Sequence, residues 1–217
     1  MFVPAIYRPG EPGWAEDLVR RHPLALLVTV EDGVPLATHV PVIHEPGEPG
    51  SGGETGLVGT TFVGHLNRAN PHWAALRRAS DSLLVFRGAE SYVSPTVYGV
   101  TPAAPTWNFV AVHARGTVET VEDEAGRMDV LTRTVDTFER ELGTGWERGD
   151  SMAYFEQLAP GVGAFRVRVT EADGMFKLSQ EKPPEIRRRV AAAFGDAPSG
   201  RDRSVAEAMA RYGGSAP

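Results

Sequence analysis

The stretch LALLVTVEDGVPLATHVPVIHE, residues 24–45, constrains the fold more than any other part of the chain. Apolar residues recur at every second position on both sides of Glu31-Asp32-Gly33, with Val28 and Val30 on one face, and period two is the signature of a strand. An Asp-Gly pair between two such runs supplies the positive-φ residues of a tight hairpin turn. The sheet is therefore expected to start as an antiparallel hairpin.

Further runs repeat the signal. LVGTTFVGHL, SLLVFRG, SYVSP, TWNFVAVHARGTVETV and GVGAFRVRVTEADGMFKLSQ all read as strands. In TWNFVAVHARG the residues Trp107, Phe109, Ala111, His113 and Arg115 share one face, opposite Val110 and Val112. Helical spacing is confined to GWAEDLVRRHP, stopped by Pro23, to NPHWAALRRA with Asn70 as N-cap, to 124–142 with the stripe Met128, Leu131, Val135, Phe138 and Leu142, to MAYFEQL, and to the tail after Pro183-Pro184. Residues 46–56, PGEPGSGGETG, read as a surface loop. Helices do not alternate with strands, which disfavours a parallel βαβ sheet. The expectation is one α+β domain over 1–217, an antiparallel barrel with peripheral helices and a C-terminal helical extension at about 183–217.

Composition removes several function classes. There is no cysteine, so disulfides, thiolate metal sites and a cysteine nucleophile are excluded. A formal charge of −6 argues against general affinity for nucleic acid or anionic membrane. No stretch approaches the roughly 20 apolar residues of a membrane span, and no signal-peptide pattern opens the chain, so a cytoplasmic location is expected. Neither a glycine-rich phosphate loop nor a nucleophile motif is present.

What remains is a set of candidate side chains. GHLNRANPHW places His65, Arg68 and His72 within ten residues. His65 reads either as a strand-end histidine bonded to backbone or as a ligand, and His72 either as a structural residue opening a helix or as a second ligand. Arg68 and Arg87 are surface charges or paired donors to a carboxylate or phosphate. Only two lysines accompany 20 arginines, and Lys177, beside Met175-Phe176 in MFKLSQEKPP, is in surroundings that desolvate an amine and favour acid/base work; the alternative is a snorkelling strand-end residue.

MFVPAIY, ATHVPV, GHLNRANPHW, SYVSP, PTWNFVAVHARG and FKLSQ occur in an order that resembles the PaiB-type, FMN-binding split-barrel proteins across nearly the whole chain. The resemblance implies a split β-barrel homodimer holding a cofactor between subunits, with Arg68, Ser94 and Thr106 at an FMN phosphate and Trp107 near its ring, in an oxidoreductase or a PaiB-like transcriptional regulator. Where that family resembles GHMARANPQW, VPTWNY and KLSQNRS, this chain has GHLNRANPHW, APTWNF and KLSQEKP. Those departures resemble the haem-dependent piperazate synthases, which form the N–N bond of L-piperazic acid from a hydroxylamine amino acid, N5-hydroxy-L-ornithine, with loss of water. This second resemblance implies haem b with His65 as axial ligand and His72 as second choice. It further implies Lys177 or Lys182 as base, Tyr92 or Tyr98 as proton donor, and Arg68, Arg87, Trp107 and Gln180 around the cofactor.

Overall fold

The computed structural model describes residues 1–45 and 54–213; positions 46–53 of the expected loop lie outside the described residues. Helix α1 (Gly13–Arg21) buries Ala15, Leu18 and Val19 and ends in Arg20 and Arg21, where cations favour the helix C-terminus. Strands β1 (Leu24–Glu31) and β2 (Val34–His44) pair from Leu24↔Pro41 to Glu31↔Val34. Their turn has Asp32 at φ 51° and Gly33 at φ 78°, the left-handed pair that a two-residue hairpin requires.

Strand β3 (Thr61–Asn67) leads into α2 (Pro71–Leu76), shorter than the NPHWAALRRA pattern suggested. The Asn70 side chain accepts a hydrogen bond from the His72 amide at 3.0 Å, and Pro71 takes the first turn. SLLVFRG and SYVSP form one strand, β4 (Asp81–Val93), interrupted only by a register shift between Arg87 and Glu90. The short α3 (Pro95–Tyr98) leads to β5 (Thr106–Val121). Then come α4 (Glu124–Leu142), α5 (Met152–Leu158), β6 (Val162–Lys177), α6 (Pro184–Gly195) and α7 (Gly200–Tyr212).

Among the described residues the six strands close into an antiparallel barrel in the order β1-β2-β3-β6-β5-β4. The closed ladder removes free sheet edges. Inward-facing Leu27, Phe62, Phe86, Val112, Phe165 and Val167 are fully buried, each stabilising the fold by roughly 1.5–3 kcal/mol of apolar transfer. The Trp73 side chain of α2 lies against Gly163 of β6, where even a methyl group would come within 2.5 Å of the indole. At the other end Trp14, Phe176 and Tyr212 stack with centroids 5.0–5.7 Å apart and tie α1 and α7 to the barrel.

Helix α4 departs from its apolar stripe. Val130, Leu131 and Thr134 are buried, while Leu142 is 66% exposed. The helix rests on a small outer patch made by Ile43, Val63, Val121 and Ala164, so its face is set by that patch and its C-terminal turn overhangs it.

Candidate functional site

The candidate residues collect at two ends of one sheet. At the first end, His65 lies on the outer face of β3, in register with Ala164 of β6 and, through it, with Val121 of β5. Phe62 and Leu66 face the barrel interior, so period two turns Val63 and His65 outward. The imidazole Nδ1 is buried without a hydrogen-bond partner. Burial pushes the His65 pKa down, which favours the neutral ring that a metal ligand must be.

His72 is held differently. It is 2% exposed, with Nε2 at 2.8 Å from Thr29 Oγ1 and Nδ1 at 2.8 Å from Thr38 Oγ1. Both ring nitrogens are occupied, so the ring plugs the barrel end and offers no free lone pair for iron. Arg68, in the turn after β3, donates to Glu122 Oε2 at 3.1 Å and lies 5.4 Å from the Trp73 ring centroid. Glu122 also accepts from Arg77 at 2.9 Å and from Thr120 at 3.1 Å. An incoming anion would therefore exchange with Glu122 for Arg68. Arg87, on the exposed face of β4, pairs with Glu90 at 2.7 Å, away from this group.

The second end gathers most of the other candidates. Tyr92 and Trp107 are cross-strand partners, half exposed, with rings edge to face at 6.1 Å. Lys177, at the end of β6, donates to Thr106 Oγ1 at 2.5 Å and lies 5.6 Å from the Tyr7 ring. Lys182 lies 4.9 Å from the Tyr98 ring and 3.8 Å from Glu181. Tyr98 is 1% exposed and its hydroxyl has no partner; burial, then the nearby charge of Glu181, pushes its pKa up. Tyr7 is likewise raised by burial and by Glu181.

Gln180 forms part of the turn that presents the lysines. Its Oε1 accepts from the Leu178 amide at 2.6 Å, its Nε2 donates to the Phe176 carbonyl, and Ser179 between them has φ 66°. This side chain is a backbone brace. Ser94 caps α3, accepting from the Thr96 amide at 3.4 Å. Tyr7, Glu122 and Glu181 were not singled out in the sequence. Tyr7 stood within MFVPAIY, and its place beside Lys177 depends on the N-terminal segment packing on β6.

The two ends do not meet within one chain. Ala164, beside His65, and Lys177 lie on the same strand, and at about 3.3 Å per residue they stand about 40 Å apart along it. Along β6 between them the outward positions include Arg166 and Arg168, and the apolar outer face lies across the barrel on β1 and β4: Leu24 and Val30 are more than 60% exposed, with Leu26, Val28, Leu83 and Val85 partly buried beside them. Among the described residues no group of three His, Asp or Glu side chains is arranged to hold a metal ion, and no helix is long and apolar enough to cross a membrane.

Comparison with known proteins gives the family and the fold. The model of the family described as "Putative FMN-binding domain" matches residues 1–171. The chain is 27% identical over 185 residues to the Bacillus subtilis (strain 168) protein named "Protease synthase and sporulation protein PAI 2", covering 84% of this chain and 83% of that one. In fold it is similar to the flavocytochrome Anf3 of Azotobacter vinelandii, at TM-score 0.53 and 18% identity, covering 80% of this chain and 71% of the other. It is also similar to the FAD and heme binding protein of Mycobacterium smegmatis, at TM-score 0.51 and 18% identity, covering 83% and 77%.

Proposed function

Because the chain belongs to the family described as "Putative FMN-binding domain", we propose that it is a cofactor-dependent split-barrel enzyme whose site is completed by a second copy, and that within this family it acts as a haem-dependent piperazate synthase. The observation that carries the haem reading is His65, an outward-facing imidazole kept neutral by burial, with Nδ1 unpartnered. Nδ1 itself is enclosed, so the other ring nitrogen, Nε2, is the one that would hold haem iron. The departures GHLNRANPHW and KLSQEKP point the same way. The fold itself is compatible with either group, since one structural neighbour is described as a flavocytochrome and another as binding FAD and heme.

The second copy supplies the missing half. In this reading the subunits pack through the apolar outer face of β1 and β4 about a twofold axis, and each site is formed by the histidine end of one subunit and the lysine end of the other. The same contact covers Leu24, Leu26, Val28 and Val30, which a lone subunit leaves in water.

The reaction converts N5-hydroxy-L-ornithine to L-piperazic acid and water, forming one N–N bond and breaking one N–O bond. Ferric haem b, when bound, supplies an electron-accepting iron that weakens the N–O bond. Lys177, steered by Thr106, is the group placed to receive the proton of the α-amine as it attacks, and Lys182 is the second candidate. Tyr98, whose raised pKa keeps its hydroxyl protonated, is positioned to give a proton to the departing hydroxyl, with Tyr92 more exposed beside it. Trp107 and Tyr92, half exposed in one subunit, form an aromatic wall that the second copy would cover. Arg68 orients the substrate carboxylate or a propionate by exchanging Glu122 for it, and Arg87 does so by releasing Glu90.

The absorption spectrum of the purified protein tests this reading. A Soret band that is lost or shifted in His65→Ala is expected. Protein carrying only flavin would overturn it in favour of an FMN-dependent oxidoreductase, the reading the family match favours, in which Arg68, Ser94 and Thr106 hold the phosphate and Trp107 borders the ring.

A further inference from the structure

A groove of about 1000 Å³ runs between α1, α7, the overhanging end of α4 and the β4 irregularity, and none of the candidate residues at either end lines it. Its floor is apolar, made by Leu18, Val110 and Ala208. Gly88 keeps that floor open. A methyl group there would lie 2.5 Å from Val110 Cγ2 and 2.6 Å from Leu18 Cδ1, so any side chain would push into the groove or displace its base.

The walls carry arginine. Arg20 and Arg21 come from α1, and Arg201 and Arg211 from α7. Arg20, Arg21 and Arg211 share one carboxylate, Asp17, at 3.0, 3.0 and 3.4 Å, and Asp17 also accepts from the Tyr212 hydroxyl at 2.7 Å. Arg201 has no partner among the described residues, and the Glu207 carboxylate one helical face away has none either. Of the other lining carboxylates, Glu90 is held by Arg87 and Glu141 by Arg140. Arg20, Arg21 and Arg211 thus meet around the single Asp17 carboxylate at the end of the groove next to Leu18 and Ala208, an excess of two positive charges in a protein of net charge −6, while Arg201 starts α7 about 15 Å away, on the same helix as Glu207.

We infer that this groove binds a small organic dianion with an apolar body, the guanidiniums taking the anionic group and Leu18, Val110 and Ala208 taking the body. Its volume is that of a small-molecule site and larger than an inorganic ion needs. Two guanidinium-bearing helices facing each other can grip an oxyanion from both sides, which a single surface charge cannot. Helix α7, which forms one wall of the groove, lies outside residues 1–171, while the floor at Leu18 and Val110 and the α1 wall lie within the matched family region.

Calorimetric titration of the purified protein, with its cofactor, separates the outcomes. Phenyl phosphate is expected to bind at least tenfold more tightly than benzoate, which lacks the second charge, and than inorganic phosphate, which lacks the apolar body. Arg211→Ala should weaken phenyl phosphate at least tenfold, and Ser204→Trp, which fills the groove from an exposed position on α7, should abolish it. Both variants should keep the cofactor spectrum and the melting temperature of the parent. Equal affinity for the three probes, no heat from phenyl phosphate, or binding unchanged in both variants would overturn the inference. Binding that appears only when the cofactor is removed and is unaffected by Arg211→Ala would do the same, because it would place the phosphate at the cofactor site.

Discussion

The histidine end and the lysine end of the sheet are built from opposite materials. At the histidine end, positions are dictated by strand register and by a rigid packing of Trp73 on Gly163, and the cations are already neutralised by Glu122. At the lysine end, the side chains come from the N-terminal segment, α3 and the turn after β6, and a buried tyrosine hydroxyl is left without a partner. The first end suits holding a group in one place. The second suits proton transfer, where unfulfilled polar atoms and raised pKa values find a use when substrate arrives.

The strongest way to break this division is complementation. His65→Ala and Lys177→Ala should each abolish turnover, and co-expressing the two should restore about a quarter of the parent activity, since half of randomly paired dimers are mixed and each carries one intact shared site. No recovery would mean that both residues act within one subunit. Next in size, Tyr98→Phe should lower kcat by about 10²-fold or more with a smaller change in KM and an unchanged cofactor spectrum, as expected of a proton donor. An equal loss of cofactor would assign Tyr98 to packing instead.

Gly163→Ala tests the rigidity of the histidine end. The added methyl meets the Trp73 ring, and overpacking should cost about 1–3 kcal/mol of stability, read from denaturant unfolding. The helices that close the lysine end offer a pH test. Burial alone would raise the Asp17 pKa, but the Tyr212 hydroxyl, Arg21 and Arg211 outweigh it and hold the carboxyl below its ordinary value. A carboxyl depressed in the folded state contributes stability above its unfolded pKa and loses it as pH falls through the folded one. The parent should therefore lose this increment below about pH 4, and Asp17→Asn should flatten that part of the profile. Least affected should be Arg77→Ala, which removes one exposed partner of Glu122 and should change stability by less than about 1 kcal/mol.

Much of the barrel was legible because the signals are local. Period two in residues 24–45 and the Asp32-Gly33 turn specify a hairpin without help from the rest of the chain, and the N-cap at Asn70 and the strand at 106–121 follow the same logic. SLLVFRG and SYVSP read as two separate strands in the sequence. Pairing with a continuous β5 joins them as β4, with an irregularity between them. The stripe of α4 was displaced for a similar reason, because the patch under the helix is smaller than the stripe.

The site was legible in its ingredients and not in its grouping. Spacing put His65, Arg68 and His72 side by side, yet His65 points out of the barrel, His72 is locked between two threonines inside it, and Arg68 is tied to a glutamate far along the chain. Lys177, Lys182, Tyr92, Tyr98 and Trp107 come from three separate segments and are neighbours in space. The sequence by itself determined the strands, the turn and the residue types able to do the chemistry, because these depend on backbone preferences over a few residues. Which atoms remain free, which charges cancel and which half of the site lies at which end were decided by tertiary structure alone, because hydrogen bonds and ion pairs between distant segments exist only after the barrel closes.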